Sequence, residues 1–378
     1  MKNIYLDNAA TTKPLDELKK VYEAYQNKLW QNPSALYAPA VLVQNELNRA
    51  KEVLLAGFQA HKCFFTSCGS EGANTVILKG MRQKKNMNFV CGGAEHPCVE
   101  ESFKALEALG HQVTYIKTNR NGLIAAEDVI EAVNEDTALV SMMHVNNETG
   151  AKNDIEAIAA AVKAKNNETL FHADGVQAFL KNPLTDTSNI DYYTVSAHKL
   201  HAHKGTGAVI YKDNTPLKPY ILGGGQEGGQ RSGTQNMLGI LSFAKAVQIL
   251  RVQADFEQVY RLKEAFLEAC SAISDCFVIS PLEKEKACGH IVNISLLGVN
   301  GETLLHMLEA QGIYISTGSA CSSKKGKSRI AKALGLTQEQ ASGAVRISFS
   351  PFTTVEEVTE AAEEIAKSAA VLRKFKRK

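Results

Sequence analysis

The chain has 378 residues, of which 44% are hydrophobic and 22% are charged. This length allows one large core and a smaller second domain. The formal net charge is +2 and the basic and acidic residues are mixed, which indicates no broad surface for nucleic acid or for a membrane.

The N-terminus and the cysteines bear on the compartment. Residues 1–7 lack the long apolar stretch of a signal peptide, and no window approaches the roughly 18 apolar residues of a membrane span. The eight cysteines form no CxxC pair and no dense framework, as is typical of reduced thiols. We therefore expect a cytoplasmic protein that contacts neither a membrane nor nucleic acid directly.

The first two thirds of the chain alternate short apolar runs with amphipathic segments. An extended segment at residues 4–6 precedes a predicted helix that begins near Pro14 and continues to Leu29. Further helices are predicted from Ser70, through Val99, Phe103, Leu106 and Leu109 up to Gly110, and over 155–164. Strands are predicted at 63–66, 88–91, 113–116, 138–142, 170–173, 192–195 and 208–211. Strands this apolar, separated by helices, predict an α/β fold with a mostly parallel sheet covered on both faces.

A glycine-rich stretch at 223–233 interrupts this alternation, and one long helix is predicted from 237 to 272. Strands at 277–279, 291–294, 314–315 and 345–347 and helices at 302–310 and 354–372 then predict a smaller α+β domain. We expect an N-terminal segment at 1–14 that packs with the small domain, a large ligand-binding domain at 15–254 and a C-terminal domain at 255–378.

Polar side chains follow two neighbouring predicted strands. Lys199 follows the strand at 192–195, and Asp174 ends the strand at 170–173. In sheets of this kind, ligands bind at the carboxyl ends of strands. A partly desolvated lysine can form a Schiff base with pyridoxal phosphate (PLP), and a carboxylate can pair with the pyridinium nitrogen. Alone, each residue has an ordinary interpretation, as a structural lysine and as a helix N-cap.

Two further segments fit an aromatic phosphorylated cofactor. Residues 66–72 join a strand to a helix through small residues, which suits a phosphate, and Ser70 adds a hydroxyl donor. His96 could stack on a cofactor ring and move protons, although packed histidines are common. His198, His201 and His203 also permit a metal site, but no acidic or cysteine ligand lies beside them and we expect no metal.

One thiol stands in a loop of small residues. Cys321 lies within residues 316–323, with Lys324, Lys325 and Lys327 close behind. Exposure and nearby cations lower the pKa of a thiol and make it a nucleophile. We expect the other cysteines to be buried packing residues, except Cys68 beside the phosphate segment.

Together these segments resemble the cysteine desulfurases, PLP enzymes of the class V aminotransferase group with fold type I. The resemblance runs nearly end to end and rests on residues 5–12, 143–150, 174–177, 198–199, 223–227, 231–234 and the Cys321 loop. The glycine-rich stretch and the Cys321 loop are the segments that separate desulfurases from other class V members.

The resemblance implies conversion of L-cysteine to L-alanine, with a persulfide on Cys321 that passes to a protein acceptor. That acceptor would be an iron–sulfur scaffold or a tRNA or cofactor thiolation enzyme. The implied catalytic residues are Cys321, Lys199 and His96, and the implied substrate-binding residues are Asn147, Arg346 and Asn32. The implied cofactor contacts are Lys199, Asp174, Gln177, His96, Gly69, Ser70, Ser196, His198 and Asn147, with Thr234 supplied across a homodimer. Gln177 would donate to the cofactor phenolate oxygen.

The sequence departs from the family pattern at several positions. A usual histidine is missing near Asn32, Cys68 stands where a glycine is common, and His201 and His203 replace residues that are usually uncharged. Another class V PLP enzyme, such as a selenocysteine lyase or a transaminase, is one alternative. A non-catalytic sulfur-relay protein of the same fold is another.

Overall fold

The computed structural model describes residues 3–81, 86–317 and 329–376. The strands are β1 (Ile4–Tyr5), β2 (His61–Thr66), β3 (Asn88–Gly92), β4 (Gln112–Ile116), β5 (Thr137–Met143), β6 (Leu170–Asp174), β7 (Tyr192–Ser196), β8 (Gly207–Lys212), β9 (Cys276–Val278), β10 (Ile291–Leu296), β11 (Ile313–Tyr314) and β12 (Ala344–Ser348). The helices are α1 (Leu18–Lys28), α2 (Ala38–Leu55), α3 (Gly69–Lys79), α4 (Pro97–Ala108), α5 (Ala126–Ala132), α6 (Ile155–Lys165), α7 (Met237–Gln253), α8 (Phe256–Ser271), α9 (Gly301–Glu309), α10 (Arg329–Ala333), α11 (Gln338–Ser342) and α12 (Val355–Lys376).

The largest sheet has seven strands in the order β2-β8-β7-β6-β5-β3-β4. Strand β8 runs antiparallel to both of its neighbours, and the other pairs are parallel. Apolar side chains of α2, α6 and α7 pack on one face, and those of α3 and α4 pack on the other. This confirms the predicted α/β fold with a mostly parallel, doubly covered sheet.

A smaller sheet, in the order β12-β10-β9, packs against α8, α9 and α12 around a separate apolar cluster. The segment at 314–315, predicted as a strand of this domain, pairs instead with the N-terminal strand: β11 and β1 form a two-stranded parallel sheet. Helices α2 and α5 were not predicted from the sequence, although α2 supplies Val43, Leu47 and Leu54 to the main core.

The long helix predicted from 237 to 272 is wrong, because the structure has two helices that meet at an angle of 74°. The side chain of Asp255 accepts a hydrogen bond from the backbone N–H of Gln258 at 2.9 Å, and this N-cap starts α8. The two helices also serve different cores. Helix α7 packs on the large sheet, whereas Val259, Leu262 and Phe266 of α8 pack with the small sheet.

Within the described residues, no single helix is long and apolar enough to cross a membrane. The bent pair α7–α8 passes that test by length and composition alone.

The N-terminal segment connects the small sheets to the main sheet. The Asn8 side-chain amide donates to the carbonyl oxygen of Ser348 at 2.9 Å, beside β12. Four residues later, the backbone N–H of Thr12 donates to the carbonyl oxygen of His198 at 3.0 Å, just beyond β7. The segment therefore crosses the carboxyl ends of the central strands.

Candidate active site

A cavity of about 440 Å³ lies at the carboxyl ends of the central strands. Strands β6 and β7 are parallel neighbours, with Asp174 beside Thr194, so the residues that follow them meet at one edge of the sheet. The cavity wall includes most of the residues predicted from the sequence: Gly69, Ser70, His96, Asn147, Asp174, Gln177, Ser196, His198, Lys199 and Arg346.

Lys199 lies on a short 3-10 turn, Ala197–Lys199, directly after β7. Its Nζ donates to the carbonyl oxygens of Ala9 and Ala10 at 2.5 and 2.7 Å. Burial, followed by the positive charge of Arg346, lowers the pKa of this amine from 10.5 to about 8. A lysine with that pKa is partly neutral near physiological pH and can act as a nucleophile or a base.

Asp174 ends β6 and is 5% exposed. Burial raises the pKa of its carboxyl group, against the lowering effects of the Val176 N–H, His96 and Lys199. The Val176 N–H donates to Oδ1 at 3.0 Å. A buried carboxylate of this kind is stabilised by a cation, and a protonated ring nitrogen would supply one.

The N-terminus of α3 forms a close backbone surface on the cavity. A Cβ added to Gly69 would lie 2.8 Å from Cγ2 of Val176, so only glycine leaves this approach open. Across from it, Ser196 Oγ is buried and has no hydrogen-bond partner among the described residues. Free N–H groups of a helix N-terminus with an unused hydroxyl beside them suit a phosphate.

Arg346 on β12 is 5% exposed and faces the cavity. One terminal nitrogen donates to Asp7 Oδ1 at 2.8 Å, and the other donates to the carbonyl oxygen of Asn147 at 2.9 Å. Its Nε is buried and has no partner in the described chain. The two bonds use two of the five N–H groups of the guanidinium, so two-pronged binding of a substrate carboxylate needs no exchange of these bonds.

The side chain of Gln177 contacts the N-terminal segment. Its Nε2 donates to the carbonyl oxygen of Ala9 at 2.8 Å, and its Oε1 is the buried atom without a partner in the described part of the chain. The bond to Ala9 uses one of the two N–H groups of the amide, so the second remains for donation to a cofactor oxygen.

The histidines in and near the cavity have different partners. His96 is the N-cap of α4, and its Nδ1 accepts the Cys98 N–H at 3.2 Å. His198 Nδ1 lies 3.1 Å from Thr11 Oγ1, and burial lowers the pKa of this imidazole to about 4. His201 lies outside the cavity wall, with Nδ1 2.9 Å from the carbonyl oxygen of Lys13.

Two predicted residues, Asn32 and Thr234, do not reach the cavity. Asn32 is exposed, and its side-chain oxygen accepts the Ser34 N–H at 2.9 Å. Thr234 is also exposed and is not part of the cavity wall. The predicted nucleophile Cys321 and its loop from 318 lie outside the described residues.

Cys98 is a residue of the cavity that the sequence did not reveal, because its pattern predicts a packing residue. Its sulfur lies in the cavity wall, 3.0 Å from His96 Nδ1. The available signal was its position two residues after a histidine at a helix start, because an N-cap side chain accepts a hydrogen bond from the backbone N–H at that position.

Comparison with known proteins gives a consistent family. The model of the class V aminotransferases matches residues 4–360. The chain is 37% identical over 368 residues to a NifS/IcsS protein homolog of Lactobacillus delbrueckii subsp. bulgaricus, with 94% of each chain covered. It is 34% identical over 387 residues to a cysteine desulfurase of Trichormus azollae, covering 100% of this chain and 96% of that protein.

Solved structures agree with the sequence relatives. A NifS-like protein superposes with a TM-score of 0.89 at 30% identity, covering 98% of this chain and 100% of that one. SspA in complex with cysteine superposes with a TM-score of 0.79 at 29% identity, covering 93% of this chain and 100% of that one.

The lowered pKa of Lys199 predicts how the cofactor-free protein takes up PLP. Only the neutral amine attacks an aldehyde, so the rate of covalent attachment should rise with pH and level off above about 8. Arg346→Met removes a positive charge that favours the neutral amine. The pH at which the attachment rate is half its maximum should therefore move to a higher value. Arg251→Met, at the end of α7, should leave it unchanged. The absorbance of the bound cofactor, followed at a series of pH values, measures these rates, and a wild-type midpoint near 10.5 would contradict the assignment.

Proposed function

Because the chain belongs to the cysteine desulfurases of the class V aminotransferase family, we propose that its cavity performs their reaction through Lys199, Asp174 and the thiol of Cys321. The protein is a PLP-dependent enzyme that removes sulfur from L-cysteine. This assignment of residues rests mainly on one observation. One cavity contains Lys199, Asp174 and the hydroxyl of Ser196, which has no partner among the described residues.

The residues present fit PLP. When bound, PLP supplies an electron sink for the bonds around the substrate α-carbon. Asp174 would hold the ring nitrogen in its protonated form. The N-terminus of α3, with Ser70 and Ser196, would bind the phosphate, and His96 would pack on the ring. Lys199 would attach the cofactor and then remove and return the proton at the substrate α-carbon.

Arg346 and Asn147 would orient the substrate through its carboxylate. The guanidinium is fixed by Asp7 at 2.8 Å, and Asn147 is adjacent to it through its own carbonyl group. Such a fixed planar cation gives a carboxylate one preferred orientation.

We assign sulfur abstraction to Cys321. Ser316 lies in the cavity wall, and five residues of chain span at most about 18 Å, so chain length permits the thiol to reach the substrate. The Cys321 thiolate would attack the substrate sulfur. A sulfur–sulfur bond forms as the carbon–sulfur bond breaks, and the electron pair left on carbon is protonated to give alanine.

The persulfide would pass from Cys321 to a thiol of a protein acceptor, either an iron–sulfur scaffold or a tRNA or cofactor thiolation enzyme, in the cytoplasm. The exchange needs no additional oxidant, because the outer sulfur moves from one thiol to another. Treating the enzyme with ³⁵S-cysteine in a lysate and identifying the labelled proteins tests this. Label that stays on the enzyme would count against a protein acceptor.

We also propose a homodimer in which Thr234 completes the cofactor site of the other subunit. The glycine-rich loop is anchored within its own subunit: Arg231 Nε lies 3.0 Å from Glu71 Oε1, and Glu227 Oε2 lies 2.9 Å from Lys51 Nζ. Thr234 is left exposed. Large apolar side chains are exposed as well, among them Trp30, Leu36, Tyr37 and Leu222. Exposed apolar groups of this size favour a protein contact.

Cys321→Ser should retain PLP but lose sulfur transfer. A hydroxyl is far less nucleophilic than a thiolate at neutral pH, so alanine formation from cysteine should fall by at least 100-fold. Mass spectrometry of the wild type after cysteine treatment should show one added sulfur on the peptide containing Cys321, removable by a reductant. Cys276→Ser is a matched control that should keep full activity. A persulfide on Cys68, or undiminished alanine formation by Cys321→Ser, would exclude Cys321 as the nucleophile.

Mixed dimers test whether Thr234 acts across the interface. Thr234→Glu places a negative charge beside the phosphate and should weaken PLP binding about 10-fold or more, whereas Thr234→Ser should keep it. A dimer with Lys199→Ala on one chain and Thr234→Glu on the other then has one intact site. A dimer with both changes on the same chain and a wild-type partner has none. Two affinity tags isolate each dimer, and the PLP attached to Lys199 is counted by peptide mapping after reduction with borohydride. The reverse pattern would show that Thr234 serves its own subunit.

A further inference from the structure

Cys98 contacts His96 through two separate groups. Its backbone N–H donates to His96 Nδ1 at 3.2 Å, and its sulfur lies 3.0 Å from the same nitrogen. The first turn of α4 holds Cys98 in this place, because Ser102 Oγ donates to the Cys98 carbonyl oxygen at 2.8 Å. Both residues of this contact therefore belong to one helix start.

The sulfur of Cys98 is a thiol. Burial, followed by the negative charge of Asp174, raises the pKa of this thiol to about 12, and Glu95 and Cys68 act in the same direction. A hydrogen bond with the Ser70 side chain, which acts in the opposite direction, does not offset these effects. The S–H group can therefore donate to His96 Nδ1, which lies within hydrogen-bond distance.

A thiolate–imidazolium pair is the other arrangement in which a cysteine lies beside a histidine. It requires a proton on Nδ1. That proton would point at the backbone N–H of Cys98, which already donates to Nδ1 at 3.2 Å. Two donors cannot face each other without the loss of a hydrogen bond, so this geometry disfavours the ion pair.

We propose that Cys98 is a positioning residue that keeps His96 Nδ1 unprotonated and places the ring proton on Nε2. One consequence rests on the proposed function: His96 exchanges protons with the substrate or cofactor through Nε2 alone. Cys98 also bonds with Ser70, so one thiol connects the phosphate-binding helix start with the histidine that packs on the ring.

Charged groups surround this pair from several elements. Asp174 lies at the end of β6 and interacts with both His96 and Cys98, and Glu95 precedes the histidine. Lys199 follows β7 and interacts with Asp174, and Arg346 on β12 interacts with Lys199. These charges also influence the protonation of His96. The experiment must therefore remove the Cys98 hydrogen bond without changing any of these charges.

Cys98→Ala and Cys98→Ser meet that condition, because the side chains of cysteine, alanine and serine at this position are all uncharged at neutral pH. Nitrogen-15 NMR of histidine-labelled full-length enzyme, with and without PLP, reports the protonation of each ring nitrogen, and His96→Gln assigns the signal. The wild type should show an unprotonated Nδ1 and a protonated Nε2. Cys98→Ala should raise the pH midpoint of His96 protonation by about 0.5 to 1 unit, because one donor to Nδ1 is lost.

Cys98→Ser should restore most of the wild-type midpoint, because its hydroxyl can donate to Nδ1. Cys276→Ala, a partly buried cysteine of the small sheet, should have no effect. A protonated Nδ1 in the wild type, or alkylation of Cys98 by iodoacetamide at neutral pH, would overturn the proposal in favour of the ion pair. An unchanged midpoint in Cys98→Ala would also overturn it. These readouts do not need alanine formation, so they stay separate from a failure of the proposed reaction.

Discussion

The amine of Lys199 is buried where two backbone carbonyl groups, those of Ala9 and Ala10, accept its protons. Much of the site depends on this contact. The two carbonyls belong to the N-terminal segment, which Asn8 ties to the end of β12 and Thr12 ties to the loop after β7. The lysine is thus enclosed by parts of the chain that are distant in sequence. Its low pKa is a consequence of that enclosure.

The buried groups that lack partners indicate what the cavity binds. Ser196 Oγ, Gln177 Oε1 and Arg346 Nε have no hydrogen-bond partner among the described residues, although such groups are normally paired in a folded protein. They lie with Asp174 and the N-terminus of α3 around a single cavity. An anionic group can bond to Ser196, a basic ring nitrogen to Asp174 and a further carboxylate to Arg346, and PLP together with an amino acid supplies all three.

The sequence was sufficient to predict those parts of the fold in which the local hydrophobic pattern and the tertiary packing agree. The apolar strands are continuous, and Asp174 and Lys199 follow neighbouring strands, so their meeting could be predicted. The break at Asp255 was missed because apolar residues continue at helical spacing on both sides of it, while the two helices pack on different cores. Cys98 was missed because its contact depends on how the first turn of α4 is oriented. Asn32 and Thr234 were implied by the resemblance alone, and neither lies in the cavity wall.

Reduction of the PLP-loaded enzyme with borohydride, followed by peptide mapping, tests the central claim most directly. Lys181 is the appropriate comparison, because burial also lowers the pKa of its amine, to about 7, and it lies close enough to interact with Lys199. The account predicts that the fixed cofactor is found on Lys199, that Lys181→Ala is labelled normally and that Lys199→Ala binds PLP without being labelled. Covalent PLP in Lys199→Ala, or a label on Lys181 in the wild type, would contradict it.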